Sequence, residues 1–240
     1  MKSLEIVCHK GANEYAPENT YASTQLCIDW GMDYVEIDVN TSKDDVLYLL
    51  HGPKIDKTTD GTGIIHELSS KQIDRLDAGS WFSPEFAGER VPRLKPFLQW
   101  VKGKIKVFFD VKAAADVQQV IELVYATGME QDCFFWFDTL LSTVRFRKLD
   151  QNLPLKINIY KPEYVALAVE EFGATIVETG ITSMSQAMLD ACREHGVKLM
   201  INHLQKDPDA FRQILERGVD MVNVDHGDLF GQIAEGMYNG

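Results

Sequence analysis

A (β/α)8 TIM barrel with a small insertion between its second and third strands is the fold class this sequence predicts, and three observations predict it. Eight short apolar runs are each followed by a segment of helical pattern, with short connections between them. The chain has 240 residues, close to the length eight βα units need. No GxGxxG or Walker-type run follows the first strand, where a doubly wound open sheet would carry its phosphate turn. The expected layout is one domain over residues 1–240, with an insertion at 52–93.

The elements follow in order. Leu4–Cys8 reads as the first strand, and a Gly/Pro/Asn loop leads to a helix over Thr20–Trp30, with Asn19 as its N-cap and Gly31 at C′. Tyr34–Val39 is the second strand, and Val46–Leu50, ending in His51, extends it. A turn-rich run and the aromatic pair Trp81-Phe82 follow, and helical Leu94–Val101 restores the rhythm. The remaining strands are expected at Lys104–Val111, Cys133–Phe137, Leu155–Ile159, Thr175–Glu178, Val197–Asn202 and Met221–Val224. Their helices are expected at Ala115–Thr127, Thr139–Leu149, Pro162–Phe172, Ser185–His195, Asp207–Arg217 and Leu229–Met237.

Composition narrows the partners. Apolar content of 45% and charged content of 25% are those of a soluble globular chain, able to bury roughly 70–75% of its unfolded surface. The net charge of −12 repels a nucleic-acid backbone and disfavours an anionic bilayer. Cys8, Cys27, Cys133 and Cys192 show no zinc-type spacing and read as buried thiols, as in a reducing compartment. The first residues lack a signal-peptide core, and no apolar run is long enough to span a bilayer. A cytoplasmic location without stable membrane association is expected, and homo-oligomerisation is left open.

The chemistry centres on Val35-Glu36-Ile37-Asp38 and Phe108-Phe109-Asp110-Val111-Lys112. Alternate strand residues share a face, so Glu36 and Asp38 project together, as do Asp110 and Lys112. Two carboxylates in an apolar run need compensation if buried, and a hard divalent cation supplies it. A half-exposed strand with its acidic face to water is the alternative for the pair alone. The rest of the chain adds a third carboxylate, a cation, and His9 and His51 at strand ends.

These residues resemble the glycerophosphodiester phosphodiesterase family, among the phosphatidylinositol-phospholipase-C-like barrels. Its HRGA and PENT motifs read as His9-Lys10-Gly11-Ala12 and Pro17-Glu18-Asn19-Thr20. Its ExD pair is Glu36-Ile37-Asp38, its second histidine His51, and its DRTTxGxG run Asp56-Lys57-Thr58-Thr59-Asp60-Gly61-Thr62-Gly63. Pro92-Arg93-Leu94 and Asp110-Val111-Lys112 complete a match that is dense over Val7–Lys112 and fainter beyond.

The resemblance implies a TIM barrel that holds one divalent cation, Mg2+ or Ca2+, on Glu36, Asp38 and Asp110. It implies His9 and His51 as general acid and base on a small glycerophosphodiester, giving glycerol 3-phosphate and an alcohol. Lys10 and Lys112 are expected to offset phosphate charge, with Glu178 and Trp81 as further substrate contacts; Trp136, Phe82 and Tyr160 are weighed as pocket walls or plain packing. His66, His195, His203 and His226 read as exposed or capping residues. Several positions depart from the family. Lys10 stands for arginine, Gly52 for aspartate, and Asp110 for glutamate, an aspartate shared with spider-venom phospholipase D toxins. Asn202-His203-Leu204-Gln205 and Val224-Asp225-His226-Gly227-Asp228 replace the usual late motifs. Two alternatives follow: a lyase-type phospholipase D that leaves a cyclic phosphate, and a non-catalytic phosphate-binding barrel.

Overall fold

The computed structural model describes residues 4–239. Its strands are β1 (Glu5–Cys8), β2 (Tyr34–Thr41), β3 (Leu47–Leu49), β4 (Lys106–Val111), β5 (Cys133–Phe137), β6 (Lys156–Asn158), β7 (Ile176–Gly180), β8 (Lys198–Asn202) and β9 (Met221–Val224). The helices are α1 (Tyr21–Asp29), α2 (Ser70–Ile73), α3 (Leu94–Val101), α4 (Val117–Thr127), α5 (Leu140–Leu149), α6 (Val165–Phe172), α7 (Gln186–Glu194), α8 (Pro208–Arg217) and α9 (Gly227–Asn239). Eight strands pair in parallel in the order β5-β4-β2-β1-β9-β8-β7-β6, and β3 pairs antiparallel with β2. Between β5 and β6 the seam is drawn by the parallel bridge of Phe135 with Leu155. The result is a near-closed (β/α)8 barrel. No helix among the described residues is long and apolar enough to cross a membrane.

Strand alternation sorts the side chains. Val35, Ile37, Val107, Phe109, Phe135, Val177, Leu199 and Val222 point outward into the layer beneath the helices. The inward residues Val7, Tyr34, Phe108, Phe134, Ile176, Met200 and Met221, each from a different strand, form an apolar floor inside the barrel. Phe108 and Phe134 stack there with ring centroids 4.4 Å apart. Two residues further along each strand, the inward face turns polar, and that layer forms the site.

Helix ends follow local chemistry. Thr139, Ser185 and Asp207 accept backbone N–H bonds at the starts of α5, α7 and α8. Gly128, Gly173 and Gly218 close α4, α6 and α8 in the left-handed region. Gly31 follows α1 with φ +69°, as expected, but Thr20 and not Asn19 caps that helix. The fifth barrel strand is only Lys156–Asn158, and Pro162–Tyr164 form a 3-10 turn before α6 begins at Val165.

Between β3 and α3 the chain builds a small cap. Tyr48, Leu50, Ile55, Ile65, Ile73, Ala78 and Val91 pack together as its core. The Asp56–Gly63 run is a structural turn within it: the Thr59 hydroxyl donates to the Ile55 carbonyl at 2.8 Å, and the Gly63 N–H donates to Asp56 at 3.0 Å.

Candidate active site

The polar inward layer carries His9, Glu36, Asp110 and Trp136 on one side, and Asn158, Glu178, Asn202 and Asn223 on the other. Together with Lys156 they line a cavity of about 120 Å³ at the C-terminal ends of the strands, the face where barrel loops place chemistry.

Register brings the acids together. Asp38 and Asp110 are direct partners across β2 and β4, so their side chains stand side by side. Oxygen atoms of Glu36, Asp38 and Asp110 all lie within 4.8 Å of one another. Glu36 and Asp38 are fully buried. Lys112 bridges two of them, 2.7 Å from Asp38 and 2.8 Å from Asp110. Burial, with the charges of Asp38 and Glu36, outweighs Lys112 and pushes Asp110 up to about 7. Burial likewise raises Glu36, helped by Asp38. Asp38 itself is lowered: burial opposes its charge, but Lys112, His51 and the Asn19 bond prevail.

Three crowded carboxylates, one lysine and a buried Asp110 Oδ1 with no hydrogen-bond partner among the described residues fit a hard divalent cation. Asn19 prepares the site. Its side chain donates to Asp38 Oδ2 at 2.7 Å and accepts from the Asp38 N–H at 2.9 Å, from a left-handed backbone at φ +60°.

The two histidines are held differently. His9 Nδ1 lies 2.7 Å from Asp225 Oδ1, which also accepts from Asn13 at 2.7 Å. A carboxylate at Nδ1 keeps the proton there and leaves Nε2 facing Glu36, at 3.8 Å. Burial opposes the His9 cation, yet Glu36 and Asp225 raise its pKa overall. His51 is exposed at the mouth, where β3 meets the cap. Asn40 donates to the carbonyls of Leu50 (2.8 Å) and His51 (3.4 Å), and the Leu50 N–H donates to the Asp38 carbonyl, pinning this corner beside the acids. Burial, with Lys10 and Lys112, lowers the His51 pKa against the pull of Asp38.

The model of the Glycerophosphoryl diester phosphodiesterase family matches residues 9–229. The chain belongs to that family. It is 26% identical over 235 residues to a glycerophosphodiester phosphodiesterase of Caldanaerobacter subterraneus subsp. tengcongensis, covering 94% of this chain and 95% of that one. A crystal structure of a glycerophosphodiester phosphodiesterase from Agrobacterium tumefaciens str. C58 superposes with a TM-score of 0.92 at 33% identity, covering 96% of this chain and 100% of that one. An Oleispira antarctica phosphodiesterase, solved with the product sn-glycerol-3-phosphate, shares the fold at a TM-score of 0.87 and 21% identity, covering 96% of each chain.

Within this family member, the other sequence-derived candidates fall in different places. Lys10 is buried beside Glu18, 3.7 Å away, on a backbone of φ +57°. Glu178 is buried in the cavity wall, paired with Lys156 at 3.1 Å. Trp81 lies on the cap, where its indole N–H donates to the Ala78 carbonyl and its ring meets Phe82 edge-on; it does not line the cavity. Trp136 does, while Tyr160 is 64% exposed. Of the two late histidines read as exposed or capping, His203 is instead buried, edge-on to Phe211, while His226 is buried directly before α9, where its carbonyl accepts the Phe230 N–H as a cap residue does.

Sequence reasoning missed the site roles of four residues, Asp225, Asn19, Lys156 and Asn223, although Asn19 and Asp225 stand in the motif runs quoted above. Asn223 donates to Glu36 Oε2 at 2.6 Å across 187 residues. Lys156 and Asn223 carried a local signal, since their parity with Asn158 and Met221 places them in the inward row.

Proposed function

We propose that the protein hydrolyses a small, water-soluble glycerophosphodiester to glycerol 3-phosphate and an alcohol, with one divalent cation, Mg2+ or Ca2+, held by Glu36, Asp38 and Asp110. The observation that carries this reading is the cluster of those three carboxylates, two of which, Glu36 and Asp110, line one polar cavity with His9. Family membership supports the substrate class. When bound, the cation supplies Lewis acidity toward the phosphate oxygens and the attacking water.

The chain's own residues do the rest. Asp225 holds His9 with Nε2 free to exchange a proton with the nucleophile or the leaving oxygen. His51, at the rim, is the second proton carrier. Lys112 keeps Asp38 and Asp110 in place and, with Lys10, offsets phosphate charge. Residues 52–93 form a cap on a single catalytic domain. A cytoplasmic location belongs to the same reading, supported by four buried cysteines that are all free thiols.

The test is a panel of glycerophosphodiesters with Mg2+ or Ca2+ in ¹⁸O water, followed by phosphorus NMR. Labelled glycerol 3-phosphate is expected, with activity abolished by chelation and restored by either metal. His9→Ala and His51→Ala should each cost roughly 10²–10⁴ in turnover. Full turnover after exhaustive chelation overturns the metal assignment. A cyclic phosphate as the end product, with no labelled monoester, moves the reaction to the lyase class.

A further inference from the structure

The apolar floor of the barrel is broken at one strand. Where the other strands place Val7, Tyr34, Phe108, Phe134, Ile176, Met200 and Met221, β6 places Lys156. This lysine is only 3% exposed and its ammonium lies 5.0 Å from the Phe108 ring centre and 4.9 Å from that of Trp136. Its Nζ reaches Glu178 at 3.1 Å, and Glu178 is itself 5% exposed. A buried ion pair in a barrel floor costs desolvation that apolar residues would avoid, so its presence points to recognition and not to stability.

The pair is also incompletely satisfied. Among the described residues, Glu178 Oε2 has no hydrogen-bond partner, and neither do Asn158 Oδ1 and Asn223 Oδ1, although all three residues line the cavity. Three acceptors without donors, on residues that line one cavity, suit a ligand that brings donors. Hydroxyl groups do so, and can also accept from Lys156. A quaternary ammonium offers no donor, and Trp136, the ring it would stack on, already faces Lys156.

We propose that Lys156, Glu178 and Asn158 form a specificity wall for a hydroxylated part of the substrate, either the glycerol diol or a polyhydroxylated leaving alcohol, in preference to a quaternary ammonium head group. The inference rests on the proposed reaction for its substrate class. Two comparisons separate the sources of the hydroxyls. Calorimetric binding of glycerol 3-phosphate against propyl phosphate reads the glycerol. The kcat/KM for glycerophosphoglycerol against glycerophosphocholine reads the leaving alcohol.

In at least one comparison the hydroxylated ligand should be preferred roughly 10-fold, the worth of a hydrogen bond to a charged group. Removing one partner would strand a buried charge, so the variant is Lys156→Met with Glu178→Gln, which neutralises both. It should bring the preference close to unity. Asn158→Ala, at a half-buried position, repeats the test with the ion pair intact and should reduce the preference partway. Absence of any preference in the wild type, or preferences unchanged in the double variant, overturns the wall. Selective calorimetric binding of glycerol 3-phosphate by a protein that turns over no diester upholds the wall and overturns the proposed reaction.

Discussion

Asp225 Oδ1 stands 2.7 Å from His9 Nδ1, joining the loop after β9 to the end of β1 across 216 residues. The contact exists because β1 and β9 are parallel neighbours, with Cys8 level with Val224. Each strand therefore releases its next residue at the same height. The bond orients the imidazole, so Asp225 acts through His9. Asp225→Asn should lower kcat roughly 10–100-fold, with KM nearly unchanged and the unfolding temperature close to wild type. Steady-state kinetics decide it: a rise in KM at constant kcat would make Asp225 a binding residue.

Asn19 makes a similar contribution to Asp38, from a left-handed backbone that asparagine tolerates and most residues do not. Asn19→Gly keeps that conformation accessible but deletes both bonds to Asp38. Affinity for Mg2+ or Ca2+, measured by calorimetry, should fall roughly 10–100-fold. Unchanged affinity would show that the strand alone positions the carboxylate.

Gly11 closes the turn after His9 with φ +82°, and a Cβ there would stand 2.5 Å from Ser23 Oγ and 2.8 Å from Ser23 Cβ. Strain and overlap act together, so Gly11→Ala should cost about 1–3 kcal/mol in urea unfolding. A loss below about 0.5 kcal/mol, within the range of neutral surface changes, would mean the turn relaxes freely.

At the opposite end of the barrel, the Glu5 carboxylate receives Lys106 at 3.2 Å and pairs closely with Lys198. Burial opposes its charge, but Lys198 and Lys106 outweigh that and lower its pKa below 4.5. A carboxylate depressed in the folded state adds stability above its unfolded pKa and loses it as pH falls through the folded value. The unfolding-temperature gap between wild type and Glu5→Gln should be largest above pH 5 or so and close as acid is added. The gap is modest, because the lysines are partly solvated. Asp33, pushed up by burial and further by the Glu5 charge, loses that second push in the variant, so its response is part of the gap. A gap constant from pH 7 to pH 3 would remove Glu5 from the acid response.

The eight-unit rhythm, most helix ends and the acids of β2 and β4 were readable from the chain alone. Their causes are local. Alternation puts Glu36 with Asp38 on one face, and residues such as Asp207 and Gly218 stop and start helices through bonds made within a few positions. Asn19 shows the limit of that reading. A helix-capping asparagine and one clamping a distant carboxylate have the same local sequence, and the choice fell to Thr20 because Asn19 was taken up by Asp38.

Tertiary structure alone decided the rest. Barrel closure sets which strands are neighbours and at what height, and so pairs Asp225 with His9, Asn223 with Glu36, and Lys156 with Glu178. None of these pairs shares a local pattern, since their separations are set by the lengths of intervening helices. Trp81 marks the same boundary from the other side: its aromatic character is plain in the sequence, but cap packing turns it toward Phe82 and away from the cavity. Local chemistry determined which residues face inward; only the closed sheet determined which of them meet.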